Sequence, residues 1–262
     1  MRIRPTSVLI ALLALPVSSF AGELPAHIDA GSLRSALPLT ESAEDVAIGR
    51  FLLARTPVTN GEFLEFVTLH PEWRRGETRA LFADLNYLGH WQDTLTLGVA
   101  ARPKQPVINV SWFAARAYCE ANGGRLPTWH EWEYVAAAGE AEKDARADPA
   151  WRQDILTWYS ETGGKPLAEV AGRSRNAWGV HDMHGLIWEW VDDFNALLVS
   201  GDSRERDGAD KLKFCGAAAT SMEDRENYAV LMRTAMLSSL RGSDTTRNLG
   251  FRCAYDIEGQ GR

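Results

Sequence analysis

The sequence predicts an α+β chain with much irregular structure. Three observations carry that prediction. Helical periodicity is confined to short, sharply capped segments. The stretches of strand character between them are also short. From Ile155 onward the pattern is Gly-punctuated and Trp-rich. Ten Trp among 262 residues point to a core of aromatic slabs rather than regular aliphatic layers.

Taken in order, residues 22–45 form a weakly patterned lead-in. Residues 46–58 mix β-branched and aliphatic side chains with Gly49 and Pro57, which predicts one or two short strands. Thr59 and Glu62 then fit a capping box, with Phe63, Phe66 and Val67 at helical spacing behind it. Residues 107–110 read as a strand. Ser111 caps the next helix, whose inner face holds Trp112, Ala115 and Cys119, and Gly123-Gly124 ends it. Thr128 and Glu131 make a second capping box for a helix through Ala138. Residues 139–149 mix Ala and charge without large apolar side chains and read as a surface excursion. A further helix is expected over residues 227–240. No linker or fixed-period repeat divides the chain.

Composition narrows the function. At 45% hydrophobic and 24% charged, this is neither a disordered nor a polytopic membrane protein. A formal charge of −7 leaves no basic excess for phosphates, so nucleic acid is not an expected partner. Residues 1–21 read as a secretory signal peptide. Arg2 and Arg4 precede a short apolar run broken by Pro16, with small residues at Ser19 and Ala21. Cleavage after Ala21 takes the charge from −7 to −9 and leaves no apolar stretch for stable membrane insertion. The expected location is the periplasm, where disulfides are permitted.

Several segments together resemble a known family. They are Thr56-Pro57-Val58-Thr59-Asn60, Pro106-Val107-Ile108-Asn109-Val110-Ser111-Trp112, and Gly124-Arg125-Leu126-Pro127-Thr128 with Glu131-Trp132-Glu133-Tyr134. Trp178-Gly179-Val180-His181-Asp182-Met183 with Trp188-Glu189-Trp190 follows, and Asn248-Leu249-Gly250-Phe251-Arg252-Cys253 closes the series. In this order they resemble the formylglycine-generating enzyme (sulfatase-modifying factor) family. The resemblance implies one α+β, C-type-lectin-like domain over residues 46–256, leaving 257–262 as a tail. It also implies a disulfide between Cys119 and Cys253. On a chain-entropy model, closing so long a loop is worth roughly 4 to 5 kcal/mol.

The family's founding chemistry oxidises a cysteine of an exported sulfatase, using Cu(I) held by two cysteines five residues apart. Thiolates select Cu(I) by softness. The comparable segment here, residues 216–252, contains no cysteine, so classical formylglycine formation is not expected. Two readings follow. One is a metal-dependent, oxidoreductase-like maturation factor for a periplasmic client. The other is a noncatalytic protein that binds an exported protein or peptide client, or serves a copper enzyme as an accessory.

Individual residues leave alternatives open. Cys215 is the odd thiol, either a metal ligand or redox group or a small buried hydrophobe. His181 and His184, three apart, could join Cys215, Met222 or Met232 in a soft copper site. With Cys215, His184 is the first catalytic candidate. By resemblance Glu189 helps hold a structural calcium. The Asn that usually supplies a further oxygen is Leu186 here, and the other reading is a Glu that hydrogen-bonds a loop. Arg125, Glu131 and Arg252 read as structural forks that pin loops. Asp192 and Asp193 read as a solvated turn, and Trp91 as a candidate groove residue.

Overall fold

Phe51 and Leu53 are buried and Leu52 between them is half-buried, the period-two pattern of a strand with one face on a core. This strand is the centre of the main sheet. The computed structural model describes residues 23–35, 45–161, 166–195 and 228–257. In it β1 (Ala26–Ile28), β2 (Gly31–Leu33), β3 (Val46–Ile48) and β4 (Phe51–Leu53) open the chain. Strand β4 lies between β1 and β7 (Ala254–Asp256), antiparallel to both, with Leu53 opposite Ala26 on one side and Ala254 on the other. Strands β2 and β3 form a separate antiparallel pair. The expected lead-in is thus corrected: residues 26–28 are a strand of the main sheet, and the domain reaches back before residue 46. Short apolar residues at alternate positions suffice where the partner strand supplies the other half of the pairing.

Helix α1 (Asn60–Leu69) starts with the expected capping box, Thr59 accepting from Glu62 N and Glu62 reaching back to Thr59 N. Helix α2 (Trp112–Ala121) is capped by Ser111, and Gly123 beyond it takes φ +73°, the left-handed conformation that glycine enters without penalty. Helix α3 (Trp129–Ala136) has the second capping box, Thr128 with Glu131. Residues 107–110 are not a strand. They run beside residue 58, with Val107 N donating to Val58 O at 2.8 Å. No alternating face forms there, because Val107 and Val110 are both fully buried and their neighbours nearly so.

One helix was not expected. Helix α4 (Pro149–Glu161) follows the excursion directly. Pro149 suits a first helical position, and Asp148 Oδ1 accepts from Ala150 N at 2.8 Å. Helix α5 (Tyr228–Ser238) lies against α4. Strand β5 (Trp188–Glu189) pairs in parallel with β6 (Leu249–Gly250). Gly250 is required there, since a Cβ would collide with Val107 O.

The core is aromatic, as the composition predicted. Phe63 has the rings of Phe66, Trp91, Tyr118 and Phe251 around it at 5.3 to 6.3 Å. Such pairs add about 0.5–1.5 kcal/mol each beyond area burial. A disulfide joins Cys119 in α2 to Cys253 just before β7. Among the described residues no helix is long and apolar enough to cross a membrane. The expected signal peptide lies outside the described residues.

Candidate functional site

The β5–β6 pair sets Trp188 and Glu189 on opposite faces, as successive strand residues must be. Glu189 points inward and is completely buried with Arg252. Arg252 Nη2 donates to Glu189 Oε1 at 2.7 Å and Nε to Oε2 at 2.8 Å. Trp132 Nε1 also donates to Oε2, at 2.8 Å. The remaining Arg252 donors reach the carbonyls of Ala54, Arg55 and His181. A second guanidinium, that of Arg233 on α5, lies 3.6 Å from the Trp132 ring centre and donates to Glu189 O at 2.6 Å. A bidentate fork of this kind fixes planes as well as distances. It ties β4, the 181–189 loop and the closing segment into one knot.

Calcium wants six to eight oxygens, and the Glu189 carboxylate, with both oxygens accepting from Arg252 and Trp132 N–H groups, does not fit that role. Its carboxylate partners are the Arg252 guanidinium and the Trp132 indole rather than a loop. Arg125 is likewise a fork, on Glu131 at 2.7 Å twice and on Asp256 at 2.8 Å.

The two histidines are not brought to one ion. His181 Nδ1 bonds Arg173 O at 2.8 Å, and His184 Nε2 bonds Ala136 O at 2.9 Å. The His184 ring lies between Trp132 and Trp151, at 5.8 and 5.7 Å. Burial, with Arg233 adding to it, pushes its pKa down to about 4. Met232 is exposed on α5. Cys215 and Met222 lie outside the described residues. Among the described residues no three His, Cys, Asp or Glu side chains could hold a metal, so these residues alone do not fit a copper centre. Asp193 is no solvated turn: its carboxylate accepts from Trp129 N at 2.6 Å, and burial raises its pKa. Trp91 is no groove residue either. It is buried, and its Nε1 donates to Asn60 Oδ1.

On the other face of β5 a cleft of about 940 Å³ opens, lined by His90, Asn109, Trp158, Arg173, Trp188 and Asn248 among others. That volume suits a small ligand or a few residues of extended peptide. Trp158 and Trp188 meet edge to face at 6.0 Å, so α4 and β5 together supply one aromatic wall. Asp182, at φ +59°, also lines the cleft; burial raises its pKa although Ala171 N donates to it.

The sequence reading missed His90, Asn109 and Trp158. His90 is anchored by Asn60, the residue that ends the first motif. Asn60 Nδ2 points at the carbonyls of Arg102, Gln105 and Pro106, at 3.2 to 3.3 Å. Its Oδ1 therefore accepts from Trp91 Nε1 at 2.9 Å and His90 Nε2 at 3.0 Å. Burial, helped by Arg75, lowers the His90 pKa to about 4. Asn109 adopts φ +52°, a region that Asn tolerates better than most residues.

A model of the sulfatase-modifying factor enzyme 1-like domain matches residues 22–257. The chain belongs to that family. The formylglycine-generating enzyme of Streptomyces coelicolor is 29% identical over 258 residues, covering 81% of this chain and 80% of that protein. The inactive C-alpha-formylglycine-generating enzyme 2 of Bos taurus is 28% identical, covering 80% and 78%. The hercynine oxygenase of Mycobacterium tuberculosis is 30% identical over 63% of this chain, which spans 42% of that protein's length. The family match starts at residue 22, in accord with the placement of β1 in the main sheet. In this chain residues 216–252 contain no cysteine.

Proposed function

We propose that this protein is a maturation or accessory factor that holds a segment of an exported client in the Trp158–Trp188 cleft and does not form formylglycine. The cleft is the observation that carries the reading. It is large enough for a peptide segment, walled by two indoles, and built on the two motifs that the Glu189–Arg252 knot holds together. The missing cysteine pair supports the second half, because Cu(I) there would have no thiolates. A relative named as inactive that matches along most of the chain fits the same reading. The periplasm is the proposed compartment, on the strength of the leader at residues 1–21.

The test is peptide binding and peptide oxidation, measured together. The full chain is loaded with Cu(I) and mixed with a capped cysteine-containing peptide. The expected result is a change in Trp fluorescence without aldehyde formation or oxygen uptake, lost in Trp188→Ala. Aldehyde formation would overturn the noncatalytic half. An unchanged response in Trp188→Ala would remove the cleft as the client site. Copper bound by the wild type and lost in Cys215→Ser would instead establish the oxidoreductase-like alternative, with Cys215 and a redox metal at its centre.

A further inference from the structure

His90 and Asn109 share a property found nowhere on the indole wall of the cleft. Each has a buried side-chain acceptor with no hydrogen-bond partner among the described residues: Nδ1 of His90 and Oδ1 of Asn109. Both residues line the cleft, and Asn109 is only 5% exposed. Leu88 N donates to Asn109 O at 2.8 Å, which brings the two segments to one wall.

The role of each atom can be worked out. Three backbone carbonyls fix the Asn60 carboxamide so that Oδ1 is an acceptor. His90 Nε2 must then carry the proton it donates there. In a neutral imidazole the other nitrogen is a bare lone pair, so Nδ1 accepts. Burying an acceptor without a donor costs about 1–3 kcal/mol. Two such atoms, shielded from solvent but belonging to residues that line a cleft, are acceptors that an occupant's donors would satisfy.

We infer that the His90–Asn109 wall is a subsite for a neutral carboxamide, the side chain of an Asn or Gln in the bound client segment. This rests on the peptide-cleft reading above. A primary amide offers two N–H donors on one nitrogen, matching two acceptors. A carboxylate offers only acceptors and is rejected. An ammonium or guanidinium has donors but meets the positive field of Arg75, the same field that helps to keep His90 uncharged. A hydroxyl supplies a single donor and leaves one acceptor unpaired.

The experiment compares three capped pentapeptides, Ala-Ala-Asn-Ala-Ala and its Leu and Asp counterparts, by fluorescence titration of the full chain. Long-range proton–nitrogen spectra of histidine-labelled protein run alongside. The Asn peptide is expected to bind about tenfold more tightly than either counterpart, the worth of a satisfied pair of buried acceptors. The His90 Nδ1 resonance should move toward the hydrogen-bonded position only with the Asn peptide. The preference should vanish in His90→Phe and in Asn109→Gly, the latter chosen because Gly accepts φ +52° without strain. Equal binding of all three peptides, with the Trp188-dependent signal intact, overturns the carboxamide subsite and leaves the peptide cleft standing. Binding of none of them overturns both. If His90→Phe fails to fold, the wild-type nitrogen shift and Asn109→Gly still decide.

Discussion

The two faces of β5 treat polar atoms in opposite ways. Behind it, Glu189 and Arg252 are fully buried and their charged atoms meet one another, Trp132 and backbone carbonyls. In front of it, His90 and Asn109 each keep a shielded acceptor without a partner among the described residues. The closed face fixes where the chain runs. The open face retains capacity that only an added group can use. The Glu189 carboxylate is fully matched while the two acceptors on the cleft side are not, in keeping with the cleft as the proposed client site.

That contrast can be broken most severely from the closed side. Replacing both Cys119 and Cys253 with Ala should cost roughly 4 to 5 kcal/mol, because the 134-residue separation between them is then unconstrained in the unfolded chain. Urea unfolding of the oxidised and mutant proteins measures it. Glu189→Ala should cost about 3–5 kcal/mol, since it strands a buried guanidinium. Replacing Glu189 and Arg252 together with Leu and Met should recover most of that loss. A double-mutant cycle showing no recovery would mean that the knot is held by something other than the pairing.

Acid sharpens the comparison. His184 titrates near 4 in the folded chain and near 6.5 when unfolded. Between these values the unfolded chain binds more protons, so stability falls as pH drops from about 6.5 to 4. The contribution is no more than about 3 kcal/mol. His90, lowered to about 4 as well, acts in the same sense. Asp182 and Asp193, raised by burial, act in the opposite sense and soften the slope. His184→Gln should flatten the pH dependence measured by thermal unfolding. The smallest effect is expected on the open side. His90→Phe should cost only about 1 kcal/mol, the net worth of one hydrogen bond, because Asn60 keeps Trp91 and Nδ1 had no partner to lose.

Much of the frame was legible in the residues. Thr59, Ser111 and Thr128 announce their helices because capping is local chemistry. Helix α4 had a signal that composition hid. Trp151, Ile155 and Trp158 fall at i, i+4 and i+7 behind Asp148-Pro149, a helical stripe with a start, and Trp151 and Trp158 face His184 and Trp188. Strands β1 and β2 were not legible. Three residues carry too little periodicity, and their pairing depends on segments far along the chain. The ion pair of Glu189 was hidden for a related reason. A Glu between two Trp looks the same whether a cation or an arginine faces it, and Arg252 lies 63 residues away. His90 and Asn109 stayed unseen because an unpaired lone pair exists only once the surroundings are known.

The segment that closes the domain has a consequence in time. Four successive residues each complete a different part of the molecule. Phe251 enters the ring cluster around Phe63, Arg252 meets Glu189, Cys253 bonds Cys119, and Ala254 pairs with Leu53. Each of these residues follows in sequence the partner it meets. Until they dock, β4 lacks one neighbour, Glu189 is an unmatched charge and Cys119 is unbonded. Assembly of the domain therefore turns on long-range contacts that form together rather than piece by piece.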